Sequence, residues 1–381
     1  MQNEYPSTTR SPINFSTYEA CSDDLYPTLA AFSSAYHQIH VFLSLILCIC
    51  GICLNALNVV VLCQKHMRSS NSLLLSSLAI SDGIVMVIYI IYDLGFRLVA
   101  RLENGMTKEY AHLLLVCIVG QNLFHTFSTW IIVVLAAYRL LYIHAGPQAR
   151  VVCAPLRVWL AIAMVALISM VLAIPLVFAH EVTHYRKPNC EDLKLYEVDY
   201  VDSTVLQTIL FYNSALLVKA IPILLMWILS IILIKKIRET QTVRRRLLPL
   251  ETLRSSTMLS EPTTGCSVED HRIQKLRWFF FKSCGRFDNC RQSTQSTKML
   301  LAVALMYILT YLPQQSVMLI LNRYMGRCFQ VQVYERLGDM MDLMTLSNNG
   351  ITFVIYCAMS TQFRHTFMTL LASGRRMLSH V

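Results

Sequence analysis

Charged residues are scarce in this sequence: they make up 15% of the chain, whereas hydrophobic residues make up 55% and the mean hydropathy is +0.48. Soluble domains rarely have such a composition. Several runs without charge reach the length of about 20 residues at which an α-helix crosses the hydrocarbon layer of a bilayer. The sequence therefore predicts an integral membrane protein.

A secretory signal peptide is absent from residues 1–35, which are polar and lack a basic segment followed by a short apolar core. We therefore expect the first apolar span to insert the chain by itself. The sequence also has no internal repeat and no low-complexity array. These absences disfavour a repeat protein or a fibrous protein.

Signs of catalysis and of transport are few. At membrane depth we recognise neither an HExxH zinc-protease motif nor a GxSxG nucleophile motif, and no second mid-membrane carboxylate lies near Asp82. Inverted repeats and interrupted spans, which characterise many transporters, are not visible. Cys48, Cys50 and Cys53 lie in an uncharged run of bilayer length, so we interpret them as packing residues rather than metal ligands. We predict that the chain is not an enzyme and has neither a metal nor a cofactor.

Seven windows of the sequence have the length and composition of membrane spans. They are residues 41–63, 71–95, 109–142, 156–179, 204–235, 298–321 and 337–358, here called spans 1 to 7. A short amphipathic stretch, Thr361–Leu371, follows span 7 and is expected to lie along the inner leaflet, with Phe363 and Phe367 in lipid and Arg364 at the headgroups. The predicted fold is an all-α, seven-transmembrane helix bundle with a short eighth helix.

Lysine and arginine concentrate in the loops after spans 1, 3 and 5 and in the C-terminal tail, so we expect those segments to be cytoplasmic. The predicted organisation is an extracellular tail (1–35), a receptor domain (36–372) and a short cytoplasmic tail (373–381). Within the receptor domain, residues 236–297 are expected to form a long, mostly disordered third cytoplasmic loop. The predicted location is the plasma membrane, with the N-terminus outside.

The formal net charge of +10 follows from this loop asymmetry and from contact with anionic lipid, so it does not indicate nucleic-acid binding. Asn14 begins the N-x-S/T sequence Asn14-Phe15-Ser16 in the predicted extracellular tail and is a candidate glycosylation site.

Asp82 is the acid predicted to lie deepest in the membrane, where a charge costs about 2.5–3.5 kcal/mol on insertion scales. Asn55, Ser128 and Asn348 are expected at a similar depth on other spans and offer oxygen atoms to the same region. Two interpretations stay open: a structural polar anchor, or a site for a cation such as sodium. Both place Asp82 at the centre of the bundle.

Five landmarks occur in an order that resembles the rhodopsin-like (class A) G-protein-coupled receptors. They are the LAISD sequence ending at Asp82, Arg139 at the inner end of span 3, Pro222 in span 5, Pro313 in span 6 and Tyr356 at the end of span 7. The resemblance runs from about residue 36 to residue 372. It implies a G-protein switch that involves Arg139, Tyr138, Pro313 and Tyr356.

Longer stretches are similar to the invertebrate myosuppressin receptors and their FMRFamide-type relatives. They include FHTFSTW, YILTYLPQQ and LGDMMDLMTLSNNGITFVIYCAMSTQFRHTF. The departures are typical of divergent members of the kind expanded in nematodes. The resemblance implies a ligand that is a short peptide ending in Arg-Phe-amide and a heterotrimeric G protein as transducer, with arrestin and a receptor kinase as further partners. The alternative is a rhodopsin-like receptor for another ligand, either a small molecule or a non-amidated peptide.

Several positions depart from the broad class pattern. These are Tyr138 in place of the acid before Arg139, Leu140 in place of an aromatic residue, Tyr307 and Tyr311 in place of Phe and Trp, Thr352-Phe353 in place of Asn-Pro, and Ser230 in place of Tyr. The missing carboxylate beside Arg139 suggests the hypothesis of raised basal signalling.

Asp339 and Asp342 lie three residues apart in the first turns of span 7, on the same helix face. In one interpretation they bind the guanidinium of a peptide arginine in an extracellular vestibule. In the other they pair with Arg323, Arg327 or Arg336, or face water. The predicted contacts deeper in the vestibule are Phe124, His125, Tyr307, Tyr311, Gln314 and Gln315.

Two further residues keep alternative interpretations. His125 is either a ligand contact or a hydrogen-bonded interior histidine, and Lys219 either faces a ligand carboxylate or extends to the outer interface. For disulfides, Cys117–Cys190 is preferred, with Cys21–Cys328 joining the tail to the third outer loop, although four cysteines allow three pairings.

Overall fold

The computed structural model describes residues 26–99, 106–145, 154–185, 195–258, 297–311 and 330–378. Helices occupy all seven predicted span positions within these ranges. Five are long and apolar enough to cross a membrane: Pro27–Leu62, Ser70–Phe96, Lys108–Ala145, Pro155–Phe178 and Thr204–Glu239. The described part of span 6 is the helix Thr297–Tyr311, and span 7 is the helix Glu335–Met359. The all-α membrane bundle is therefore confirmed.

Local sequence signals set the beginnings of three helices. Pro27 and Pro155 occupy first-turn positions, where their fixed φ angle suits a helix and no backbone donor is lost. Ser69 caps span 2 by accepting from the backbone N–H of Ser72, whose side chain in turn accepts from the backbone of Ser69. The helix of span 1 thus begins at Pro27, well before the expected Val41, and includes part of the predicted tail.

The helix of span 5 also extends beyond its predicted end. It continues through Ile221–Met258, so residues 236–258 of the predicted disordered loop are helical. This segment is rich in arginine and leucine, which are favourable helix formers. Lys236 and Glu239 form an ion pair of 2.8 Å across one helical turn. The sequence analysis underestimated this helix because it equated polar composition with disorder.

Among the described residues, three π-helical segments interrupt the bundle at the ends that were predicted to face outward. Asp93–Val99 extends span 2, Asn213–Ala220 joins the two α-helical parts of span 5, and Gln330–Tyr334 precedes span 7. A π-helical turn inserts a residue into the helix and rotates the side chains that follow it. These segments change the directions of side chains at the outer end of the bundle, where the vestibule was predicted.

Spans 1 and 7 approach closely through two glycines. A Cβ atom added at Gly350 would lie 3.7 Å from the Cα of Gly51 and 3.6 Å from the Cε of Met86. Side chains larger than a methyl group at Gly350 therefore have little room. Met86, on span 2, is fully buried against this contact. The close approach brings the outer end of span 7 near the outer ends of spans 1 and 2.

A two-stranded antiparallel sheet covers the outer end of span 3. Strand β1, His180–Tyr185, pairs with strand β2, Leu195–Tyr200, with His180 opposite Tyr200. Tyr196 also exchanges two backbone hydrogen bonds with Met106. Apolar residues of both strands pack on a small cluster formed by Phe96, Met106, Ala111, Leu114 and Cys117. The hairpin is thus fixed above the bundle by both backbone pairing and apolar packing.

The eighth helix, Thr361–Leu378, packs against the bundle differently from the prediction. Phe363 is 2% exposed and contacts the rings of Phe353 and Tyr356, with ring centroids 5.6 Å apart in each pair. Phe367 also contacts Phe353. Arg364 donates to the main-chain carbonyls of residues 357 and 358, which end span 7. The expected lipid contact of Phe363 was therefore wrong, because its ring packs into the bundle. Arg364 is exposed, and its predicted headgroup contact stays a prediction.

Candidate ligand-binding site

Asp342 connects spans 7, 2 and 1 through hydrogen bonds. The Tyr89 hydroxyl donates to Oδ2 of Asp342 at 3.1 Å, and Nε2 of His40 lies 3.1 Å from the same hydroxyl. A phenol hydroxyl has one proton, and that of Tyr89 is directed at Asp342. The Tyr89 oxygen therefore accepts a hydrogen bond from the imidazole N–H of His40. Tyr89 and His40 are buried, whereas Asp342 is partly exposed. This arrangement fixes the Asp342 carboxylate inside the outer end of the bundle.

Asp339 contacts span 1 one turn nearer the outside. Its Oδ2 lies 2.7 Å from Nδ1 of His37. The His37 side chain is 59% exposed, whereas that of Asp339 is 17% exposed. Asp339 therefore has a partner that water and ligands can reach. Arg336, one of the predicted structural partners, donates to the main-chain carbonyl of Tyr26 at 3.4 Å.

Lys219 lies on the π-helical segment of span 5 and is directed into the bundle. Its ammonium group is within electrostatic range of both Asp342 and His125. Of the two orientations considered for Lys219, the structure favours the one that faces the interior over the outer interface. The candidate site thus contains two carboxylates from span 7 and one cation from span 5, on opposite sides of the vestibule.

His125 and two tyrosines form the floor of this region. The His125 ring lies 4.9 Å from the ring of Tyr311, which is stacked on Tyr307 at 4.7 Å. Both tyrosines are buried, and the Tyr311 hydroxyl donates to Oδ1 of Asn349 at 3.4 Å. These three residues therefore lie together below Asp342, although Tyr307 is too deeply buried to meet a ligand in this conformation.

The position of Phe124 contradicts its predicted role. Phe124 lines a cavity between spans 1, 2, 3 and 4, away from the vestibule, and its carbonyl accepts from the Ser81 hydroxyl at 2.8 Å. Phe124 is thus placed at a different cavity from the region where the His125 ring contacts Tyr311. Gln314 and Gln315 lie outside the described residues, and their predicted contacts stay predictions.

The hairpin brings acids above the site. Tyr334, at the entrance of span 7, has its pKa raised by burial and, to a smaller extent, by the negative charge of Asp342. Glu197 on β2 has its pKa raised by burial and then by the neighbouring charge of Asp199. Glu181, Asp199 and Asp202 are exposed. The entrance to the vestibule therefore carries negative charge that attracts a cationic ligand.

Residues 180–184, HEVTH, have the HExxH spacing of zinc proteases, a match that the sequence analysis did not consider. That site requires a helix, which places both histidines on one face within reach of one ion. Here the sequence lies on strand β1, where residues four apart are separated by about 13 Å. Among the described residues, no group of three or more His, Cys, Asp or Glu side chains could hold a metal.

The sequence analysis also missed the partners contributed by spans 1 and 2. His37, His40 and Tyr89 contact the two acids of span 7 directly or through one side chain. A signal for them existed: His37 and His40 are spaced three residues apart, which places both on one helix face. They were overlooked because span 1 was started at residue 41.

Asp82 is buried and hydrogen-bonded to one of its three predicted neighbours, Ser128. The Ser128 hydroxyl donates to Oδ1 of Asp82 at 2.7 Å, and Asp82 is 1% exposed. Asn348 is buried, and Asn55 donates to the carbonyl of Asn349 at 3.1 Å. Oδ2 of Asp82 has no hydrogen-bond partner among the described residues. Ser128 and Oδ2 of Asp82 are suitable oxygen ligands for a hard cation, so the sodium site stays a prediction with a fitting donor set.

The predicted switch residues lie at the inner end of the bundle. Arg139 is 5% exposed, and its charge acts on the buried hydroxyl of Tyr356. Tyr138 packs against the main apolar core. Pro313 lies outside the described residues, so its role as a hinge stays a prediction.

Several other predicted sites are not tested by the described residues. Cys117 is a free, buried cysteine at the outer end of span 3. Cys21, Cys190 and Cys328 lie outside the described residues, as does Asn14. The two disulfides and the glycosylation site therefore stay predictions.

Comparison with known proteins adds an independent line of evidence. Residues 42–264 and 280–374 match the sequence model of a family described as "Serpentine type 7TM GPCR chemoreceptor Srw". The chain is 26% identical over 371 aligned residues to the G-protein coupled receptor dmsr-1 of Caenorhabditis elegans, covering 90% of this chain and 70% of that protein.

Two further relatives have similar coverage. The sex peptide receptor-related protein 2 of Caenorhabditis elegans is 25% identical over 348 residues, covering 85% of this chain and 69% of its own length. The sex peptide receptor of Drosophila melanogaster is 24% identical over 334 residues, covering 82% of this chain and 68% of its own length. The family match includes Asp339, Asp342 and Arg139, whereas His37 and His40 lie before its first residue.

Proposed function

This chain belongs to the serpentine type 7TM GPCR chemoreceptor Srw family, and we propose that its ligand is a short peptide ending in Arg-Phe-amide. As a member of that family it is a multi-pass, non-enzymatic membrane receptor that couples to a G protein. The proposal concerns the ligand and its contacts. Support for a peptide comes from the relatives that are named as sex peptide receptors.

The observation that carries this proposal is the pair of carboxylates at the outer end of span 7. Asp339 and Asp342 face span 1 and span 2 rather than lipid, and both remain partly exposed. A guanidinium donates two parallel hydrogen bonds to a carboxylate, an arrangement stronger than bonds between neutral groups. The arginine of the peptide replaces His37 at Asp339 and extends toward Asp342.

The remainder of the peptide fits the floor of the vestibule. Its phenylalanine ring stacks near His125, whose ring contacts that of the buried Tyr311. The C-terminal amide is neutral, which suits a site where Lys219 already faces Asp342. A free C-terminal carboxylate would add a second negative charge that competes with Asp342 for the charge of Lys219.

Signalling then requires that the ligand bind one conformation more tightly than the other, since equal affinity shifts no equilibrium. In the proposed active conformation, span 6 moves about Pro313 and exposes Arg139 to the G protein. The proposal places the receptor in the plasma membrane with its N-terminus outside. Arrestin and a receptor kinase are proposed partners of the inner face.

The test is to express the receptor with a panel of G proteins and titrate Arg-Phe-amide peptides against their free-acid forms. We expect a response to the amides, weakened at least tenfold by Asp342→Asn and by Asp339→Asn. Glu181→Gln is the matched control, because it removes one exposed carboxylate from the hairpin and contacts neither acid. Equal loss in all three variants would show only long-range attraction and would contradict the contact.

A second candidate is a receptor for a small molecule or a non-amidated peptide. It is favoured by the description of the family as chemoreceptors and by the inward direction of Lys219, which suits a ligand carboxylate. Silence toward every amide at confirmed surface expression, or greater potency of the free acids, would support this second candidate over the first.

A further inference from the structure

A cavity of about 830 Å³ lies on the bundle surface between spans 1, 2, 3 and 4, separate from the ligand vestibule. Its inner wall includes Leu62 and Ser81, which are buried. Ile80, Trp159 and Met170 also line it, and each is about half exposed on the outside of the bundle. The cavity therefore opens sideways toward the hydrocarbon of the membrane, and its volume lies within the range of ligand pockets.

We propose that this cavity binds one anionic phospholipid of the adjacent leaflet, with an acyl chain in the groove and the phosphate on Arg68. Small residues on spans 2 and 4, including Ser72, Ser77 and Ala166, create the space. The hydroxyls of Ser72, Ser77 and Ser81 each donate to a main-chain carbonyl at 2.8–2.9 Å. Since those three polar groups are satisfied within the protein, the groove offers a largely hydrocarbon surface.

The length of the groove matches an acyl chain. Its lining on span 4 runs from Pro155 to Met170, a difference of 15 residues that corresponds to about 22 Å of helix. The hydrocarbon layer is about 30 Å thick, so the acyl chains of one leaflet span about 15 Å. A chain that starts at the Pro155 end can therefore lie in the groove over its whole length.

A cationic group lies at the mouth of the groove. Arg68 is exposed, lines the cavity and donates from Nε to the carbonyl of Cys63 at 3.2 Å. This bond holds the guanidinium at the end of span 1, with its Nη groups as the donors for a phosphate. Lys65, three residues before Arg68, and Arg157, two residues after the lining residue Pro155, are both exposed and add to the positive charge at this level.

The charge at the mouth favours a phospholipid over a sterol. A sterol presents one neutral hydroxyl, which cannot form the paired, charge-assisted hydrogen bonds that a phosphate accepts from arginine. On the predicted orientation, this end of the bundle meets the cytoplasmic leaflet, which contains the anionic lipids. The apolar groove thus requires an acyl chain and the cationic mouth requires an anionic headgroup, and an anionic phospholipid has both.

The first test is native mass spectrometry of the purified full-length receptor in the presence of equal amounts of phosphatidylserine and phosphatidylcholine. We expect one tightly retained phosphatidylserine, preferred about fivefold, which is the effect of one basic residue near an anionic surface. Arg68→Gln should remove this preference. Lys65→Gln, which removes the same charge from the same loop without lining the groove, should leave it unchanged.

A second measurement locates the acyl chain. Phosphatidylserine brominated on its acyl chains should quench part of the tryptophan fluorescence of the receptor. This quenching component should be lost in Arg68→Gln and also in Trp159→Phe. Thermal unfolding of each variant verifies that it is folded. Three outcomes would overturn the proposal: equal effects of Arg68→Gln and Lys65→Gln, a quenching component that persists in Trp159→Phe, and displacement of phosphatidylserine by cholesterol.

Discussion

The Nδ1 atom of His37 lies 2.7 Å from Oδ2 of Asp339, so an exposed imidazole occupies the position that the proposed ligand cation needs. The contact joins span 1 to span 7 at the outer end of the bundle. Because His37 is largely exposed, the contact exchanges readily with water or with a stronger donor. The unliganded receptor therefore orients the Asp339 carboxylate, and a ligand cation can still displace His37 from it.

Replacing His37 by alanine should make Asp339 more available to a cationic ligand. Exposed pairs of this kind contribute about 0.2–1 kcal/mol, so we expect the potency of an Arg-Phe-amide peptide to rise by up to about fivefold. The measurement is a concentration–response curve at matched surface expression. His112→Ala, an exposed histidine of span 3, is the control. A fall in potency for His37→Ala alone would indicate that His37 itself contacts the ligand.

Tyr89→Phe tests whether the orientation of Asp342 matters. The change removes the hydroxyl that donates to Asp342 and accepts from His40, but it keeps the buried ring. Net contributions of such bonds are about 0.5–1.5 kcal/mol each, so the thermal stability should fall measurably and the peptide potency several-fold. Unchanged potency together with reduced stability would mean that Asp342 has only a structural role.

The seven spans could be predicted because a bilayer imposes length and composition on every crossing helix. The direction in which each side chain points from its helix was harder to predict. Phe124 and His125 were both assigned to the vestibule, although Phe124 lines the cavity between spans 1, 2, 3 and 4. The direction of Lys219 depends on a π-helical segment that has no clear signature in the sequence. His37 was missed because span 1 was predicted to begin at residue 41, whereas its helix begins at Pro27.

The glycine contact between spans 1 and 7 gives a size-dependent prediction. Gly350→Ala should be tolerated, since its Cβ would meet Gly51 and Met86 at ordinary contact distances of 3.6–3.7 Å. Gly350→Leu should reduce surface expression strongly, because the longer side chain forces the two helices apart and overpacking costs about 1–3 kcal/mol or more. Quantifying an extracellular epitope tag by flow cytometry measures both. Equal expression of the two variants would contradict the close approach.

Tyr138 allows a test of the inner switch. A carboxylate at this position would pair with the neighbouring Arg139, which is almost completely buried. We therefore expect Tyr138→Asp to lower ligand-independent G-protein signalling relative to the unmodified receptor. Tyr138→Phe, which adds no charge, should leave basal signalling unchanged. Basal signal that is no higher in the unmodified receptor than in mock-transfected cells would contradict the hypothesis that the missing acid raises it.

Phe363 tests the docking of the eighth helix. Its ring is 2% exposed and packs between Phe353 and Tyr356, so truncation to alanine leaves a cavity beside the predicted switch tyrosine. Loss of a buried phenylalanine costs about 3–5 kcal/mol, and we expect a lower unfolding temperature and weaker G-protein coupling. Met368→Ala is the control, because Met368 lies on the same helix and is 65% exposed. If Phe363 instead faced lipid, both variants would retain near-normal stability and would differ only in membrane association, since a ring in the lipid contributes through apolar area alone.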